Sequence, residues 1–117
     1  MNKTEHLLVV LSEECSEVIK EVSKALRFGL EDCNPNINDG VTNSEKITKE
    51  IADLIGIIET LVSGGIIKGP SLKDVEEKRK RIAHYLKYSN VSEITDAAKK
   101  LICNRIEWEK INYTKGI

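Results

Sequence analysis

Aromatic side chains are scarce: one Phe, one Trp and three Tyr amount to 4% of the 117 residues. Aliphatic side chains must therefore fill the interior. Proline occurs twice, within Asn34-Pro35-Asn36 and Gly69-Pro70, and both stretches read as breaks between helices. No apolar run is long enough to span a bilayer. The polar opening Met1-Asn2-Lys3-Thr4-Glu5 leads into a helical pattern and not into a secretion signal. The three cysteines, Cys15, Cys33 and Cys103, lack metal-type spacing. They read as reduced thiols of a cytoplasmic protein, with Cys15 and Cys103 packed inside helices. The formal net charge is −1, so no global field draws the chain to nucleic acid or to an anionic membrane.

What is abundant is charge, at 32% of residues, interleaved with Leu, Ile, Val and Ala. That mixture predicts amphipathic helices with solvated outer faces. The length suits one domain over residues 1–117. A first helix is expected from about Thr4 to Phe28, with Leu7, Leu8, Leu11, Cys15, Val18, Ile19, Val22, Ala25 and Leu26 at three-and-four spacing. Gly29 stops it. Residues 30–43 carry turn formers and are expected to be a loop, long for a helical hairpin. Thr42 and Glu45 have capping-box spacing for a second helix, which Gly64-Gly65 ends. Ser71 can cap a third, from about Leu72 to Tyr88. Asn90 and Glu93 open a fourth, to roughly Asn112. The expected fold is all-α and four-helix-bundle-like, with further surface buried by self-association.

Two short acidic patterns carry the chemistry. One is Glu13-Glu14-Cys15-Ser16-Glu17 and the other Glu50-Ile51-Ala52-Asp53. Carboxylates three residues apart share a helix face. At about 100° per residue, Glu14 lies at one edge of the first helix's apolar stripe and Glu17 about 60° further round. Glu50 and Asp53 hold the same two offsets on the second helix. In an antiparallel hairpin, flanks of the same hand meet on one side, so the four carboxylates can converge beside one seam. Such a cluster repels itself unless a hard cation neutralises it, and all-oxygen donors suit Mg²⁺, Mn²⁺ or Ca²⁺. Acids that simply solvate a helix face are the competing explanation, and Glu13 and Glu21 fit it on spacing alone.

At these residues the chain resembles the MazG-like all-α nucleoside triphosphate pyrophosphohydrolases, whose order is Glu-Glu-x-x-Glu, a gap, then Glu-x-x-Asp. Ser23-Lys24-Ala25-Leu26-Arg27-Phe28-Gly29 and Tyr85-Leu86-Lys87-Tyr88 resemble small phage-type members. The resemblance spans roughly Leu7 to Tyr88. It implies cleavage of a nucleoside triphosphate, ribo or deoxy, between the α- and β-phosphates to a monophosphate and pyrophosphate. It also implies Mg²⁺, replaceable by Mn²⁺, on Glu14, Glu17, Glu50 and Asp53, with Glu13 as a supporting acid, and assembly as dimers or tetramers. One departure is the gap of 32 residues between Glu17 and Glu50, longer than in most members.

Candidate phosphate contacts are Lys24, Arg27, Lys78 and Arg81, and Tyr85 or Trp108 can stack on a base. A di-iron bundle is disfavoured, because no His follows Glu14 or Glu50 at the third position. A nucleic-acid binder rests only on Lys78-Arg79-Lys80-Arg81, without interleaved aromatics. The remaining alternative is a non-catalytic helical regulator or adaptor. Base and sugar preference, the number of metal ions and the choice between a housecleaning and a regulatory role are not written in the pattern.

Overall fold

The computed structural model describes residues 1–33, 36, 37 and 39–86. The predicted fourth helix, Cys103 and Trp108 lie outside them. Among the described residues the chain is all-helical: α1 spans Lys3–Phe28, α2 spans Asn43–Ser63 and α3 spans Leu72–Leu86. No described helix is long and apolar enough to cross a membrane. The chain divides into two compact units, Met1–Ile67 and Lys68–Ile117.

Side chains that satisfy exposed backbone donors set the helix starts. Asn2 caps α1 in a complete box: its Oδ1 accepts from Glu5 N at 2.8 Å, and its own N donates to Glu5 Oε2 at 3.1 Å. This start lies just before the one expected at Thr4, because Asn2 supplies the cap. Thr42 Oγ1 accepts from Glu45 N at 3.1 Å, as its spacing predicts. Ser71 Oγ accepts from Asp74 N at 3.1 Å and opens α3. Gly29 ends α1 at φ 96°, a region costly for a residue with a Cβ.

In the first unit, α1 packs along α2. Gly29 meets Asn43 at one end of the pair, and Glu14 meets Glu50 and Asp53 further along, so the helices run antiparallel. The turn is pinned by backbone bonds from Asn43 N to Asp32 O at 2.9 Å and from Ser44 N to Leu30 O at 2.8 Å. An isolated antiparallel bridge joins Cys33 to Thr42. Asn43 is fully buried, and its Nδ2 donates to Gly29 O at 2.9 Å. Asp39 accepts from Val41 N and pairs with Lys46 at 3.4 Å. That backbone bond and then the Lys46 ammonium hold its carboxyl below the usual range.

Among the described residues, the buried apolar ones are Ala25, Ile57 and Leu61. The stripe on α1 is wider than the seam it forms with α2. Leu7, Leu11, Val18 and Ala25 are half-buried or buried. Leu8, Ile19, Val22 and Leu26 stay exposed, Ile19 at 66% and Leu26 at 83%. Cys15 is exposed as well, which corrects its reading as a packing residue: it lies on the open half of the stripe. In the second unit, α3 carries no buried residue, and Tyr85 is exposed.

Candidate metal centre

The hairpin brings carboxylates from both helices together. One oxygen each from Glu14, Glu50 and Asp53 lie within 4.8 Å of one another. The cause is rotational: the seam sits further toward Glu14 than the centre of the apolar stripe does. Glu14 is therefore half-buried at the contact, and Glu50 enters from the facing helix. Partial desolvation pushes the Glu14 carboxyl above its ordinary range. The negative charges of Asp53, Glu50, Glu17 and Glu13 push it further in the same direction.

Glu17 is not part of this group of three; its carboxylate lies 3.9 Å from Lys20. It stands one turn along α1 from Glu14, near enough for its charge to be felt there. Glu13 is exposed beside the cluster. Asp53 already has a cation: Lys49 Nζ donates to Asp53 Oδ1 at 3.3 Å and to Oδ2 at 3.2 Å. Asp53, then the charges of Glu50 and Glu14, hold the Lys49 ammonium above its usual range.

Lys24 pairs with Glu21 at 3.4 Å, with side chains only 18% and 9% exposed. Glu21 is among the most buried residues of the hairpin, and its Oε2 has no hydrogen-bond partner. Solvated decoration, the reading its spacing allowed, does not describe it. The available signal was position: it follows Glu14 by seven residues and so returns to the same helix face. The Arg27 guanidinium lies over the Phe28 ring, 5.2 Å from its centroid. Lys78, Arg81 and Tyr85 are exposed on α3 in the second unit, where Tyr85 meets His84 edge-on.

Chemically, three carboxylates from two helices form an all-oxygen donor set with excess negative charge. The residues fit a hard divalent cation that keeps other coordination positions for water and phosphate oxygens. They do not suit a soft metal, which favours thiolate or imidazole donors. Compared with protein-family models, with curated proteins and with solved structures, the chain matches none of them.

Proposed function

We propose that the chain is a Mg²⁺-dependent nucleoside triphosphate pyrophosphohydrolase that yields a nucleoside monophosphate and pyrophosphate. The observation that carries this reading is the convergence of Glu14, Glu50 and Asp53 within 4.8 Å, in the order of the MazG-like acidic pattern. The raised affinity of Glu14 for its proton supports it, because a cluster short of positive charge favours a cation. In this reading Glu14, Glu50 and Asp53 hold the ion and Glu17 joins them by a side-chain rotation. Glu13, exposed one residue away, takes the proton from the attacking water. A bound Mg²⁺ supplies charge neutralisation for the triphosphate and lowers the pKa of a coordinated water. Arg27 is a cation of the same unit available for the leaving pyrophosphate, Lys24 being engaged by Glu21; Lys78, Arg81 and Tyr85 belong to the second unit and enter no step of this proposal.

Self-association belongs to the same proposal, as a dimer at least. Its support is the open half of the α1 stripe, where Leu8, Ile19, Val22 and Leu26 are 40% exposed or more. The same open stripe also suits a non-catalytic adaptor. Metal titration separates the two. For the enzyme, Mg²⁺ or Mn²⁺ raises the melting temperature by mass action, and Glu50→Ala with Asp53→Ala abolishes the rise. A panel of triphosphates then yields monophosphate and pyrophosphate. Orthophosphate as product would mean a different reaction, and no metal response in the wild-type chain would favour the adaptor.

A further inference from the structure

Lys49 is the cation closest to the three-carboxylate group among the ion pairs of the hairpin. It lies one turn before Asp53 on α2, and its ammonium spans both oxygens of that carboxylate at 3.3 and 3.2 Å. Its side chain is 70% exposed, so it can swing into solvent without disturbing the seam. The geometry points to Lys49 as an exchangeable counter-ion: it neutralises Asp53 in the metal-free protein, leaves when a divalent cation enters, and then holds a phosphate of the substrate. This rests on the pyrophosphohydrolase reading above and adds a residue to it.

Asp53 cannot give the same oxygens fully to an ammonium and to a divalent cation, so the two compete. An exposed pair one turn apart holds weakly, so an ion with twice the charge displaces it. Once displaced, the ammonium remains tethered within a side chain's length of Asp53, on the helix that also carries Glu50. A point charge on a flexible stem suits a phosphate oxygen whose position shifts as the bond breaks.

The test uses the full chain with Mn²⁺ alone and then with Mg²⁺ and the triphosphate that turns over fastest. Lys49→Met is compared with Lys49→Arg, which keeps the charge, and with Lys3→Met at the far end of α1. Lys49→Met is expected to bind Mn²⁺ about two- to five-fold more tightly, read by the paramagnetic signal of free Mn²⁺. At saturating Mg²⁺, its KM for the triphosphate should rise several-fold. Lys49→Arg should restore both values toward wild type, and Lys3→Met should change neither. Equal Mn²⁺ affinity in wild type and Lys49→Met would overturn the exchange while leaving the metal site standing. So would an unchanged KM. Failure of the wild-type chain to bind Mn²⁺ at all would remove the metal reading and this inference with it.

Discussion

Glu14 decides whether the hairpin seam tolerates its own charge. Its pKa is raised by desolvation first and by its acidic neighbours next, so the folded protein holds this proton to higher pH than the unfolded chain does. Between those two pKa values the folded state binds more protons, and stability falls as pH rises through that window. Metal-free protein is therefore expected to melt lower at about pH 8 than Glu14→Gln, which carries no charge there. Divalent cations should raise the wild-type melting temperature more at about pH 8 than at about pH 5, where Glu14 is closer to neutral. Glu14→Gln should lose most of that response. Scanning fluorimetry with and without Mg²⁺ reads all of this, and a melting temperature of Glu14→Gln below wild type at high pH would contradict it. That Glu14 could meet Glu50 and Asp53 was legible in the sequence, because their matching offsets on two antiparallel helices put them beside one seam; that Glu17, expected with them, stands outside the group was not. Nor was the burial of Glu21, because it depends on how far the seam is rotated, which spacing leaves open. The Lys49–Asp53 pair has ordinary four-residue spacing on one helix and was open to the same reading.

At the scale of the helix pair, capping chemistry was the most readable signal. Thr42 and Ser71 sit where their side-chain oxygens predict, each accepting from the backbone N three residues on. The loop after Gly29 was also legible, as a cluster of turn formers. What could not be read was its anchoring. Asn43, expected only at the end of the loop, is fully buried and holds Gly29 O through Nδ2. Asn43→Ala removes that donor, strands a carbonyl and opens a small void. It should cost about 1–3 kcal/mol, seen as a lower denaturant midpoint at an unchanged m value. Leu61, fully buried late in α2, tests the seam itself: Leu61→Ala should cost about 2–5 kcal/mol by the same measurement.

Among the described residues, the buried apolar set is small for the length of helix that carries it: Ala25, Ile57 and Leu61 in the hairpin. The α1 stripe continues past the seam through Leu8, Cys15, Ile19, Val22 and Leu26. From Cys15 onward its steps of four, three and four are the repeat by which helices wind around one another. Ile19→Glu combined with Leu26→Glu should therefore shift the chain toward monomer in light scattering while leaving the α1–α2 seam folded by circular dichroism. An unchanged mass would place self-association, if present, on another face. The periodicity of α1 was legible, but the division of its apolar face between seam and surface was not, because a wide stripe fits either use. The class of fold followed from composition and spacing. The predicted fourth helix falls outside the described residues.

The pins at the hairpin's turn have a use in protein engineering. Gly29, Leu30, Asp32 and Cys33 on one side are tied to Asn43, Ser44 and Thr42 on the other, so register is set before the chain reaches the tip. Closure entropy grows slowly with loop length, by only about 0.6 kcal/mol for each doubling. A peptide tag or a small reporter domain inserted between Cys33 and Asp39 should leave the Asp39–Lys46 pair and the spacing of Glu14 and Glu50 untouched.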